Sequence, residues 1–185
     1  MLNVETNYRI QPVDPANAEG KAKQLLDAAK AKLGMVPNTL KVMAQAPAVL
    51  EGYLALTSAL NKGVLPAAVR ERLALTISQV NGCDYCLAAH SAFAKYAKVS
   101  PDQILAARRG EADDPKVQAL LLLAQDLMEY RGDISDEQLA AVREAGASEE
   151  EIGEVVGHIA ALTLTNYLNE LAHTEIEFPR VPAHV

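Results

Sequence analysis

The chain reads as all-α, a compact bundle of about eight helices. Three observations predict this. Helix start and stop signals recur at short intervals along the chain. The long apolar segments follow the i, i+3, i+4, i+7 spacing of a helix face. No alternating run of useful length reads as a strand. Apolar residues make up 50% of the sequence, ample for a core, while aromatics are only 4% and tryptophan is absent. The core must then be built from Leu, Ala, Val and Ile, which favours helices packed closely through small side chains.

The elements follow from punctuation residues. Asn17 suits the cap of a helix running to about Leu33, with Gly34 as its stop. Pro37 suits a first helical position, and Pro47 starts a helix ending at Gly63. Pro66 opens a helix to about Asn81, and Gly82 breaks it. Ser100-Pro101-Asp102-Gln103 is a capping box with proline at the first position. Asp114-Pro115 starts another helix. Ser135-Asp136-Glu137-Gln138 and Ser148-Glu149-Glu150-Glu151 are two further capping boxes.

The helix after Asp114 carries Val117, Leu120, Leu121, Ala124, Leu127 and Met128 on one face, and Leu122 and Leu123 on a second. The last helix is apolar nearly all round through Ile152, Val155, Val156, Ile159, Leu162, Leu164, Leu168 and Leu171. Such helices are either central or lie at a subunit interface. Two of them in a chain this small favour a homo-oligomer. The whole chain, 1–185, reads as a single all-helical domain. Within it, residues 1–16 form an N-terminal arm and 178–185 a C-terminal tail. The ends carry prolines and no helical period, as extended arms that are loose or packed on a neighbour. Glu71 to Ser78 echoes Glu154 to Ala161 in pattern, too briefly to be a repeat.

The balance of 17 basic and 24 acidic residues gives a net charge of −7. An acidic surface argues against nucleic acid and anionic membranes as partners. The first residues lack a basic region followed by an apolar stretch, and no apolar run approaches the ~20 residues of a membrane span. A cytoplasmic location follows as the expectation. In a reducing compartment, a close cysteine pair is catalytic or metal-binding more often than structural.

That pair is Cys83 and Cys86, the only cysteines in the chain. His90 follows four residues later. Positions i, i+3 and i+7 share one helical face, so both sulfurs and the imidazole point the same way. Two thiols at this spacing can form a disulfide, and His90 can take a proton from Cys86. Because Gly82 breaks the preceding helix, both cysteines are expected in the first turn of the next. Free N–H groups and the helix dipole favour a thiolate there. Glu71 is the candidate partner of His90. Its neighbours at i±3 and i±4 are Ala67, Ala68, Ala74 and Leu75, so no surface ion pair explains it. If Gly82 folds the two helices into a central hairpin, Glu71 lies about 4.5 Å along the axis from the level of His90. A direct or water-mediated link is then within reach.

Glu71, Cys83, Cys86 and His90, spaced +12, +3 and +4, resemble the pattern of the alkylhydroperoxidase D proteins of the carboxymuconolactone decarboxylase-like superfamily. Arg70-Glu71-Arg72-Leu73-Ala74-Leu75 leading into Asn81-Gly82-Cys83-Asp84-Tyr85-Cys86 looks like the family core. Leu33-Gly34-Met35-Val36-Pro37-Asn38 looks like the peroxidase-related subgroup, as Asn166 and Thr174-Glu175 do more weakly. The resemblance covers residues 30–175. It implies an all-helical trimer or hexamer that reduces organic hydroperoxides. In the family's pattern Cys86 attacks the peroxide, Cys83 resolves the sulfenic acid as a disulfide, and Glu71 with His90 relays protons. The implied partners are a hydroperoxide and a dithiol or protein reductant, lipoamide-like or thioredoxin-like. Some members carry a second histidine between the cysteines, where this chain has Tyr85.

Other readings stand beside this one. The same pair can serve a general disulfide oxidoreductase or redox sensor, and a helical oligomer with inert cysteines is the non-enzymatic alternative. Zinc has three available ligands in Cys83, Cys86 and His90, but a structural site takes four. His158 or His173 would complete it only by an accident of folding, so no metal and no cofactor are expected. Haem attachment needs histidine directly after the second cysteine, where Leu87 stands. His158 reads as a satisfied core or interface histidine. His173 reads as a residue of the last helical turn, and His184 as a residue of the tail.

Overall fold

The computed structural model of the protein describes residues 7–183 and holds nine α-helices and no strand among them. An N-terminal group comprises α1 (Gly20–Leu33), α2 (Asn38–Met43) and α3 (Pro47–Leu60). The rest are α4 (Ala67–Val80), α5 (Asp84–Tyr96), α6 (Pro101–Arg108), α7 (Pro115–Glu129), α8 (Asp136–Glu144) and α9 (Glu149–Ala172). The count exceeds the expected number of about eight by one.

The caps account for the boundaries. Ser100, Ser135 and Ser148 each accept the N–H three residues on, and Gln103, Gln138 and Glu151 bond back to the cap N–H. Asp114 accepts from the N–H groups of Lys116 and Val117. Each such cap contributes roughly 1 kcal/mol. Three expected starts are shifted. Asn17 does not cap α1, because its amide and backbone N–H are both bonded to Asp14 in a preceding turn. Pro37 and Pro66 are the caps of α2 and α4 and not their first residues. α3 ends at Leu60, short of Gly63. The Glu154 carboxylate of α9 accepts from Val64 N–H at 2.6 Å and Leu65 N–H at 3.0 Å, which draws this segment out of the helix. A Cβ at Gly63 would collide with that carboxylate.

α4 is the central helix. Arg72 through Ser78 are buried without a gap, and α4 packs against α5, α6, α7 and α9. Its polar residues are accommodated inside. Thr76 Oγ1 donates to Ala107 O at 2.6 Å, and Ser78 Oγ accepts from Asn166 Nδ2 at 3.3 Å. The main core runs along this helix through Leu73, Leu75, Ile77, Leu87, Leu120, Leu121 and Leu162. A second cluster, with Leu26, Leu40, Met43 and Leu50, holds α1 to α3 together and reaches α9 at Leu168.

The faces of α9 are unequal. Val155, His158, Leu162, Asn166 and Asn169 turn inward. Val156, Leu164, Tyr167 and Leu171 are exposed by 52%, 38%, 63% and 53%, and together they form one stripe along the outside of the helix.

The described parts of the two chain ends pack on the protein's own helices. Arg9 N–H donates to Ala172 O and Val13 N–H to Lys41 O. After α9 the chain runs back across α5, and Arg108 and Gln79 bond the backbone of Pro182 and Ala183. His184 and the start of the expected N-terminal arm lie outside the described residues.

Gly82 makes the α4–α5 hairpin. Its φ of +68° is left-handed backbone, which glycine adopts without penalty. A Cβ there would meet no atom within 4 Å, so only backbone strain opposes a side chain. Gly82→Ala should therefore cost about 1–2 kcal/mol in urea unfolding. Gly52→Ala, inside α3 and unobstructed, should gain about 0.5–1 kcal/mol.

Candidate active site

The hairpin brings together all four residues read from the sequence. His90 Nδ1 meets Glu71 Oε2 at 2.8 Å, directly and without a bridging water. With Nδ1–H donated to the carboxylate, Nε2 is the nitrogen left to take a proton. Burial disfavours a charged His90, but the Glu71 carboxylate outweighs it and raises the imidazole above its ordinary value.

Cys83 is the N-cap of α5, and its sulfur accepts the Cys86 N–H at 3.3 Å. Cys86 is thereby the third residue of the helix, and both thiols are reduced and buried. Asn169 Nδ2 of α9 donates to Cys86 Sγ at 3.3 Å. The two thiols are driven apart. The Cys83 thiol, bonded to Cys86, lowers its neighbour most. Burial opposes, and Asn169, the charge of His90 and Asn166 assist, bringing Cys86 to about 7. Cys83 moves the opposite way, raised by its bond to Cys86 and by burial, and stays a thiol. The pair holds one proton between two sulfurs, and the negative charge belongs to Cys86.

Cys86, Glu71 and His90 open on a cavity of about 520 Å³ between α1–α3 and the α4–α5–α9 wall. Leu33, Leu40, Leu54, Leu162, Phe93 and Phe178 make it mainly apolar. Tyr53 also lines it, and burial followed by the charges of Cys86 and Glu71 pushes its phenol up to about 12. Tyr53 is therefore a neutral hydrogen-bonding group facing the thiolate.

Several site residues were not read from the sequence. Asn169 went unnoticed, although it and Asn166 are the polar interruptions of an apolar helix, a signal that was available. Asn166 Oδ1 accepts from Asn81 Nδ2 at 2.8 Å, tying α9 to the end of α4. Tyr85 was noted only as a departure. Its hydroxyl donates to Glu177 Oε1 at 2.8 Å and accepts from Thr39 N–H at 3.2 Å. Phe178 meets Tyr85 and Phe93 edge-on, with centroids 5.9 Å and 5.4 Å apart. His158 is buried as expected but is not satisfied. Its Nε2 has no partner, and the ring lines the same cavity. His173 closes α9 in left-handed conformation and belongs to a different surface. Among the described residues, no three His, Cys, Asp or Glu side chains are grouped to hold a metal ion. No helix among them is long and apolar enough to cross a membrane.

Comparison with known proteins agrees with this geometry. Residues 47–126, which contain Glu71, Cys83, Cys86 and His90, match the model of the carboxymuconolactone decarboxylase family. No curated protein matches the chain. Among solved structures, the alkylhydroperoxidase AhpD core of an uncharacterized peroxidase-related protein from Ralstonia eutropha JMP134 is similar. It superposes with a TM-score of 0.80 at 24% identity, covering 92% of each chain. An uncharacterized peroxidase-related protein from Silicibacter sp. TM1040 gives 0.75 at 22%, over 90% of this chain and 92% of that one. The debrominase Bmp8 gives 0.77 at 21%, over 92% and 93%. A cysteine-to-alanine form of Bmp8 in complex with 2,3,4-tribromopyrrole gives 0.76 at 21%, over 92% of each chain. The resemblance read from Glu71 to His90 holds, and the fold is alkylhydroperoxidase D-like.

The split of the two thiols has a direct readout. Iodoacetamide should alkylate Cys86 first, with a rate that rises through a midpoint near 7, and Cys83 only slowly. Asn169→Ala removes one donor to the thiolate, so the midpoint should move upward. An unmoved midpoint would remove Asn169 from the site.

Proposed function

We propose that the protein is a thiol-dependent peroxidase that reduces organic hydroperoxides through a dithiol–disulfide cycle. The observation that carries this reading is the Glu71–His90 pair at 2.8 Å on the same cavity as Cys86, whose thiol is lowered to about 7, with a second thiol one turn away. Cys86 thiolate attacks the terminal peroxide oxygen. The S–O bond forms, the O–O bond breaks, and the alkoxide leaves as an alcohol with the proton held at His90. Cys83 then attacks the sulfenic acid. The S–S bond forms, the S–O bond breaks, and water leaves, taking up the Cys83 proton. Two thiols have been oxidised and one peroxide reduced. A dithiol or protein reductant restores the pair, in keeping with a reducing cytoplasm.

A second reading, removal of halogen from an aromatic ring by the same thiols, is favoured by the size and apolar lining of the cavity. That space exceeds what hydrogen peroxide needs and suits a ring. Assays with cumene hydroperoxide and with 2,3,4-tribromopyrrole, each with dithiothreitol, separate the two.

In the first reading, one equivalent of cumene hydroperoxide should remove both free thiols and leave no intermolecular dimer. Cys86→Ser should abolish turnover. Glu71→Gln and His90→Phe should each lower it by roughly 10²- to 10⁴-fold. The double variant should be little worse than either single one, because groups acting as a unit are not additive. Fully additive losses would make the pair structural.

We also propose a homo-oligomer, trimer or larger, assembled through the outer stripe of α9. Val156, Leu164, Tyr167 and Leu171 present more contiguous apolar surface there than a monomer ordinarily leaves in water. Light scattering at micromolar concentration should give at least three chain masses. Tyr167→Glu with Leu171→Glu should reduce this to one.

A further inference from the structure

We propose that the cysteine pair has two entrances. Hydroperoxide reaches Cys86 through the apolar cavity, and a small dithiol reductant reaches Cys83 through a second cavity at the N-terminal end of α5. The proposal rests on the peroxidase reading above.

The second cavity encloses about 370 Å³. Asp84, Tyr85, Asn169, Glu170 and Ile176 are among its walls. Tyr85 and Asn169 line both cavities and so divide them. The first cavity runs along the side of α5, past Cys86, Ala89, His90 and Phe93. The second touches α5 only at its first two residues, Asp84 and Tyr85.

The geometry of exchange requires this separation. A thiolate attacks a disulfide through a mixed-disulfide intermediate, and the better-stabilised sulfur leaves. Cys86 is that sulfur. It is in the first turn of α5 and receives the Asn169 amide at 3.3 Å. The reductant must therefore attack Cys83, in line with the S–S bond and from behind the sulfur that it joins. Cys83 precedes Cys86 by one helical turn. Cys83 is the cap at the end of α5 that the second cavity touches, and the first cavity is lined by Cys86 and not by Cys83. A bond forms between the reductant sulfur and Sγ of Cys83. The S–S bond breaks, and its electron pair goes to Cys86 as thiolate. The second reductant thiol then displaces Cys83 and gives up its proton to it. The dithiol leaves as a disulfide, and the pair has gained two electrons and two protons, one on the Cys83 thiol and one held at the Cys86–His90 site.

Ile176 governs this route. Cys83 has no exposed surface. Ile176 lines the second cavity and packs on the cluster of Cys83, Tyr85, Cys86 and Ala89. Its side chain must move aside before a thiolate can reach the sulfur. Asp84, Glu170 and Glu175 stand in the walls beside Arg180 and His173, so the cavity presents both signs of charge and no single-sign patch. A neutral dithiol is the class that fits.

The test uses dithiothreitol and cumene hydroperoxide. In a cycle of two half-reactions, kcat/KM for each substrate reports only its own half. Ile176→Trp should lower kcat/KM for dithiothreitol about tenfold, and Ile176→Ala should raise it about threefold, with the value for cumene hydroperoxide held within about twofold in both. Leu54→Trp, which fills the first cavity, should lower the hydroperoxide value instead. Equal effects on both substrates, an effect on the hydroperoxide alone, or none on either would overturn the two-entrance arrangement. A second measurement separates this from the peroxidase reading. Diamide forms the disulfide without peroxide, and the rate at which dithiothreitol regenerates free thiols then reads the reductant entrance directly. If the wild-type protein turns over no hydroperoxide, the peroxidase reading fails. The Ile176 variants still decide the entrance by their rates of disulfide reduction.

Discussion

The start of α5 is the constraint on which the site depends. Gly82 turns the chain out of α4 in left-handed conformation, and the next residue caps the new helix with a sulfur where serine or aspartate is usual. That one substitution of cap chemistry does three things. It satisfies an orphan N–H of the first turn. It puts Cys86 among the remaining free N–H groups and close to the positive end of the helix dipole. It also leaves the two thiols hydrogen-bonded to each other, with the Cys83 thiol raised and that of Cys86 lowered. A later start to α5 would leave Cys86 outside the helix and lose the electrostatic difference between the thiols. An earlier one would bury the cap in the hairpin turn.

The second determinant is the sharing of charge in a mainly apolar cavity. An isolated carboxylate or imidazolium is costly to bury, but a hydrogen-bonded pair is tolerated. Glu71 and His90 are such a pair, and the carboxylate favours the charged imidazole against its burial. The charged His90 in turn favours the Cys86 thiolate. Tyr53 stays neutral because burial, and after it the same negative charges, oppose its ionisation. His158 stays neutral too, lowered by burial and then by Arg70. The cavity thus holds its charge on Glu71, His90 and Cys86 and keeps its other titratable walls neutral.

Much of this is legible in the sequence, for identifiable reasons. Caps such as Ser100, Ser135 and Ser148 act within four residues, so their pattern is local and they were placed correctly. The Glu71–His90 link was legible because a two-helix hairpin has a simple register, and because Glu71 lacks any partner on its own helix. What was not legible depends on long-range packing. Asn17 is held by Asp14 in a turn before α1 and the helix starts after Glu19, a competition between local bonds that pattern alone does not rank. Gly63 failed to end α3 because Glu154, ninety residues away, claims the following N–H groups. The packing of the C-terminal segment on α5, and of the N-terminal segment on α9 and α2, is not legible because an extended segment has no period to read. His158 was taken as satisfied because the cavity beside it is made by α1 to α3, whose docking the sequence does not specify.

The position between the cysteines joins these threads. Where some of the proteins that its motif resembles carry histidine, Tyr85 is almost fully buried, and its hydroxyl is engaged by both Glu177 and Thr39. Burial leads its upward shift, and the Glu177 charge adds to it, so the phenol remains protonated. It cannot shuttle a proton as a second imidazole would, which leaves that task to His90, whose charge favours the Cys86 thiolate. What Tyr85 offers in exchange is mechanical. Glu177 also accepts from Asn38 N–H at 2.8 Å, so one carboxylate ties α2, α5 and the C-terminal segment together. Phe178, the next residue, closes the apolar cavity against Phe93. The substitution gives up a proton carrier and gains a fixed wall. That wall separates the side of the pair facing Cys86 from the side facing Cys83.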